Sequence, residues 1–162
     1  MSPNGFKKRP LFSRILRAPL AARSLVKAFD LAAKDRPEEA LSVLNKARVD
    51  YEGWHKEFHL LRAHVSHRVS EFRLSVDDCD VTIDLIEAAP ESSSEDNYEL
   101  LYAVWVKDLS LKALGLPGIT DDRWDKRFEE LDLNQVSSRL KRDFPLPWHP
   151  DWPEPDESAS SA

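Results

Sequence analysis

Four of the chain's five histidines, His55, His59, His64 and His67, fall in one short stretch. His55 and His59 are four residues apart, and Glu52, three before His55, would project from nearly the same face of a helix. A two-histidine, one-carboxylate metal site is therefore geometrically open. Against it, His64 and His67 point well away from that pair, and no His-Glu-x2-His motif is present. All four flank an apolar stripe, where imidazoles are ordinary boundary residues, so no metal ligand is assigned.

Nucleophilic chemistry has less support. Cys79 is the only cysteine and sits among Asp77, Asp78 and Asp80; neighbouring carboxylates raise a thiol pKa and suppress the thiolate. The chain has no Gly-x-Ser-x-Gly elbow, phosphate loop or dinucleotide fingerprint. Adjacent pairs such as Glu38 with Glu39, and Glu129 with Glu130, diverge on a helix surface and read as solvated charges. No catalytic residue, cofactor or enzymatic activity is expected.

The elements that would carry these residues are helical. Only four glycines, with long runs of Ala, Leu, Glu, Lys and Arg, argue against a sandwich or a doubly wound sheet. No stretch approaches 18 apolar residues, which excludes a transmembrane helix. With 162 residues and 41% hydrophobic content, the chain suits one domain with loose ends. A single cysteine forbids an intrachain disulfide and fits a reducing, cytoplasmic setting.

Along the chain, Leu11 to Ala18 is expected to form a short amphipathic helix ended by Pro19. Leu25, Ala28, Phe29 and Ala32 recur at helical spacing up to Lys34, and Pro37 with Glu38 and Glu39 opens the next helix. Trp54, Phe58, Leu61, Val65, Val69 and Phe72 form one narrow stripe, which predicts a central helix of about five turns. A shorter helix follows over 77–89. Ser93 or Ser94 caps another that carries Tyr98, Leu101, Tyr102, Trp105 and Leu109 and stops at Gly115. Thr120 starts a helix with Trp124, Phe128 and Leu131, and a last one carries Val136 and Leu140.

Ala40, Leu44 and Ala47 lie on one face, and Cys79, Ile83 and Ile86 repeat that spacing thirty-nine residues later. The first hairpin resembles a tetratricopeptide repeat, whose second helix opens with acidic residues and continues Ala-x3-aliphatic-x2-Ala. The family's small residue twelve positions before that alanine falls on Ala28, its bulky residue nine before falls on Leu31, and its closing proline falls on Glu52. In the second unit, over about 54–90, the matching positions are His67 and Ser70, so that repeat is degenerate. The resemblance covers about residues 20–90. It implies an all-α fold of antiparallel hairpins stacked as a short solenoid, with an irregular helical bundle as the alternative, and a concave face that binds peptide segments.

The two ends differ from the body. Residues 1–29 carry Lys7, Lys8, Arg9, Arg14, Arg17, Arg23 and Lys27 and no acid, a charge of +7; with -6 for the whole chain, residues 30–162 carry -13. Such a body disfavours nucleic acid. The expected organisation is a basic arm over 1–19, a helical domain over 20–143, and a Pro/Trp-rich segment with an acidic tail over 144–162. Lys7, Lys8, Arg9, Phe12, Arg14 and Arg17 could meet an anionic membrane or partner, and an organelle transit peptide has the same composition. Trp148 and Trp152, set among five prolines between 145 and 155, could enter an aromatic groove or pack back on the helices. These readings predict a non-enzymatic adaptor or scaffold with protein or peptide partners. The alternatives are a peripheral membrane protein docking through its arm and, behind it, a histidine-based metal protein.

Overall fold

The computed structural model describes residues 11–89 and 93–152, with side chains from Ala22 onward. Lys7, Lys8 and Arg9 lie outside that range, as do the side chains of Phe12, Arg14 and Arg17. The described chain is all-α: α1 (Leu11–Ala33), α2 (Pro37–Tyr51), α3 (Lys56–Arg68), α4 (Phe72–Glu87), α5 (Ser94–Ala113), α6 (Asp125–Glu129) and α7 (Ser138–Asp143), with a single 3₁₀ turn over Leu133–Gln135. Among the described residues no helix is long and apolar enough to cross a membrane.

Consecutive helices pack on one another, chiefly α1 on α2, α3 on α4 and α4 on α5, while α3 also meets α1 and α5. The helix ends follow local chemistry. Pro37 opens α2, and Arg36 bonds Glu39 there. Ser93 caps α5 in a capping box with Asp96. Gly115, at φ 72°, ends α5. Pro19 does not end a helix as expected: α1 runs through it, although a proline inside a helix removes one backbone hydrogen bond and crowds the carbonyl of Ile15.

The five-turn central helix is also corrected. The chain turns at Ser70, and the stripe from Trp54 to Phe72 is divided between three elements. Trp54 lies in the α2–α3 turn, 54% exposed, and Phe72 is the first residue of α4, which begins five residues before the expected start at Asp77. The turn repeats the one between α1 and α2. Asp35 (φ 59°) and Ser70 (φ 65°) each adopt the left-handed conformation. The N–H of Arg36 reaches back to the carbonyl of Leu31 at 2.9 Å, and that of Glu71 to Ser66 at 2.8 Å.

Equivalent turns at 35 and 70 set the internal register at thirty-five residues, one helical turn less than the thirty-nine expected. Ala28 then matches Ala63, Ala40 matches Ser75 and Leu44 matches Cys79, and all six are wholly buried. Leu25 with Ala28 in α1 and Leu60 with Ala63 in α3 keep that register, and both alanines are wholly buried. Small residues at these points let neighbouring helices approach closely.

The C-terminal part folds back over α5. α6 is shorter than the helix expected from Thr120, with Trp124 as its N-cap and Leu131 buried beyond its end. Val136 precedes α7 rather than lying in it, and Ser137 caps α7 through the N–H of Leu140. Phe144 and Leu146 are buried, at 2% and 0% exposure. That covering explains why α5 is apolar on nearly every side, with Tyr98, Leu100, Leu101, Tyr102, Ala103 and Val106 all buried.

Candidate functional site

The histidines hold structure together. His55 is the N-cap of α3, its Nδ1 accepting from the N–H of Phe58 at 3.2 Å. His59 faces the opposite demand: Nε2 accepts from the N–H of Gly53 at 2.8 Å, so Nδ1 carries the proton and donates to Asp78 Oδ1 at 2.7 Å. Arg62 adds two bonds to the same carboxylate, Nε to Oδ2 at 2.7 Å and Nη2 to Oδ1 at 2.9 Å. Glu52 stands 4.0 Å from Arg62 rather than with His55. The expected His55, His59 and Glu52 face is thus divided among three separate tasks. Among the described residues, no three His, Cys, Asp or Glu side chains are grouped to hold a metal ion.

The His59 and Asp78 pair has the outline of a catalytic relay, but its outward nitrogen is taken by a backbone N–H, and the pair is buried. It joins the α2–α3 turn to α4. Cys79 beside it is wholly buried; burial, then Asp78 and Asp80, pushes its thiol far above the ordinary range.

Side chains from α1, α3 and α5 converge on Phe144. The ring of Phe144 sits 5.9 Å from Phe29 of α1, 5.7 Å from His64 of α3 and 5.1 Å from Tyr102 of α5, the first two edge-to-face. Tyr98 donates its hydroxyl hydrogen to the carbonyl of Phe144. His64 Nδ1 lies 2.5 Å from the Tyr102 hydroxyl. Burial, with Arg68 and His67 nearby, holds the imidazole down at about 4, so at neutral pH it is uncharged and accepts the phenol hydrogen. The three rings on Phe144 are thus uncharged, and one tyrosine hydroxyl donates to its backbone carbonyl.

Two openings flank Phe144. One, of about 510 Å3, is bordered by Phe29, Leu61, His64, Arg68, Arg142 and Pro145. Arg68 is held there by Asp35 and by the carbonyl of Ala32. The other, of about 50 Å3, is bordered by Glu57, Glu95, Glu99, Ser137 and Arg139. Glu99 is buried, and its Oε2 has no hydrogen-bond partner, with Lys56 Nζ at 3.4 Å. Burial pushes this carboxyl up to about 7 despite the lysine.

Of the residues expected to meet a partner, Trp148 and Trp152 are placed against the body. Trp148 remains 41% exposed and packs on Trp105 and Phe128, and Trp152 is half-buried on the core. Phe29, His64, Tyr98 and Tyr102 were not singled out together by sequence reasoning, because they come from three helices far apart in the chain. No protein-family model, curated protein or solved structure matches this chain.

Proposed function

We propose that the chain is a non-enzymatic adaptor whose peptide-binding groove, formed by α1, α3 and α5, is occupied by its own C-terminal segment. One observation carries this reading: an aromatic side chain from a Phe-Pro-Leu-Pro stretch is bound by three rings, with a side-chain hydrogen bond to its backbone. That is how a groove takes a peptide in trans: an anchor in an aromatic pocket, fixed in direction through the main chain. The thirty-five-residue register of the two hairpins supports the tetratricopeptide resemblance, in which leading helices face the bound segment. A partner that carries an aromatic-proline motif would compete with Phe144 and could extend into the 510 Å3 opening.

The test is a peptide-library selection on the wild type and on Phe144→Ala, with folding checked by circular dichroism. Emptying a core phenylalanine site costs about 3–5 kcal/mol, so Phe144→Leu, which keeps most of the volume, accompanies it. The variants should select aromatic-proline peptides and bind a synthetic copy of residues 141–150, while the wild type selects weakly. Folded variants that select nothing would remove the reading.

A second reading has its own support. α1 is 23 residues long against 15 in α2, so its first turns extend beyond its partner, and they follow the basic arm. A basic helix end of this kind can dock on anionic lipid. Flotation with anionic vesicles that persists after residues 1–19 are deleted would sink it.

A further inference from the structure

The small opening beside Phe144, of about 50 Å3, is lined by Glu99, whose Oε2 is the one buried oxygen of a charged side chain without a hydrogen bond among the described residues. Glu99 is 5% exposed. We propose that the partner taken by the groove is a peptide with a lysine five residues before its aromatic anchor, and that the lysine's ammonium enters this opening and pairs with Glu99. The inference rests on the groove reading above and adds to it the charge and spacing of the ligand.

The chain's own segment shows the spacing. Arg139 stands five residues before Phe144 and lines the same opening. Its guanidinium lies over the ring of Phe29 at 5.5 Å, with Nη2 3.8 Å from Glu57 and Nε 3.6 Å from Asp143. Two residues earlier, the N–H of Ser137 donates to Glu95 Oε1 at 3.2 Å and fixes the segment on that side. Seating the aromatic anchor therefore brings the position of Arg139 to the rim of the opening.

Arg139 itself stops at the rim. Its ion pairs are with Glu57 and with Asp143 of its own segment, not with Glu99. Size gives a reason. A volume of this order holds one group as large as a water molecule, whose share of the liquid is about 30 Å3. An ammonium is a compact point charge of that size, whereas a guanidinium is a broad planar fork.

The charges favour the same ligand. Glu57 of α3 and Glu95 and Glu99 of α5 face the opening from the body. Lys56 is already committed, its Nζ 2.5 Å from Asp96 Oδ1 and 3.4 Å from Glu99. Surface carboxylates attract any cation weakly, but Glu99 is closed off from water with an acceptor unused, and such a group is costly until a donor completes it. A charged donor makes the strongest bond there, while an acidic residue at this position meets like charge.

The experiment titrates the full chain, wild type and Phe144→Leu, with end-capped fluorescent copies of residues 136–148 carrying either Arg139→Lys or Arg139→Leu, read by anisotropy. At pH 8 the Arg139→Lys peptide should bind about tenfold more tightly than the Arg139→Leu peptide. That ratio should fall towards unity when Glu99→Gln is added to the chain. It should fall at pH 6 as well: burial, together with Glu57 and Asp96 and against Lys56, holds the Glu99 carboxyl up at about 7, so it is then mostly protonated. The other charged groups on the opening are Glu95, Arg139 and Asp143. No binding of either peptide by the folded chains would remove the groove reading and this inference with it. Equal binding of the two peptides at pH 8 would overturn the lysine alone. A lysine preference undiminished by Glu99→Gln, or undiminished at pH 6, would also overturn it, in favour of a general attraction to the acidic body.

Discussion

Arg62 forks onto Asp78 inside the protein: both guanidinium bonds are under 3 Å, and the two side chains are 6% and 2% exposed. Removing one member of a buried pair is far costlier than the pair's net worth, because it leaves a charge without its partner. Asp78→Asn should therefore destabilise the fold by about 3–5 kcal/mol in urea titrations. Adding Arg62→Met should recover part of that, since the amide introduced by Asp78→Asn keeps a carbonyl that accepts from His59. A loss below about 1 kcal/mol for Asp78→Asn would contradict this.

Ser70 carries backbone strain with no side-chain bond to offset it. At φ 65° a glycine is free of the Cβ penalty, so Ser70→Gly should raise stability by up to about 1 kcal/mol, while Ser70→Val should lower it. Asp35→Gly should gain less, because the Asp35 carboxylate holds Arg68. Urea midpoints of the three variants give the order.

His64 and Glu99 work against each other as pH changes. With its folded value near 4, His64 stays neutral while the unfolded chain takes up a proton below 6.5, so its contribution to stability falls as pH drops from 6.5 towards 4. With its folded value near 7, Glu99 keeps a proton that the unfolded chain loses above 4.5, so its contribution falls as pH rises from 4.5 to 7. Each is worth roughly 3 kcal/mol at full extent, and between 4.5 and 6.5 the two slopes oppose. Glu99→Gln should be more stable than the wild type at pH 8 and should show stability rising with pH from 4 to 6.5. A variant less stable than the wild type at pH 8 would show that the Lys56 contact outweighs the burial.

Cys79 offers a measure of opening. With the thiol buried and its ionisation suppressed, a disulfide reagent should react at least about a thousandfold more slowly in buffer than in urea. Asp78→Asn, by loosening α3 against α4, should speed it. Rapid stoichiometric labelling of the native chain would place Cys79 at a surface.

Much of the fold was legible in the residues. Pro37 with Glu38 and Glu39, a serine at 93 or 94, and Gly115 mark helix ends through local chemistry, and Ala40, Leu44 and Ala47 are on the buried face of α2. Such features concern a residue and its neighbours within one turn, which periodicity and capping report directly. The thirty-five-residue register was hidden because the turns use Asp35 and Ser70 where glycine would have announced them, and apolar residues on both sides of the second turn read as one stripe. The core placement of His59, Arg62 and Asp78 was equally hidden, since charged residues carry no sign that their partner lies one helix away. The groove depends on still longer range: Phe144 meets Phe29 and Tyr102 only after three helices have stacked and the chain has returned across them. Sequence alone determined that this chain forms amphipathic helices and where most of them begin. Only the tertiary structure decided which aromatic fills which pocket, because that choice is made by packing between segments far apart in the chain.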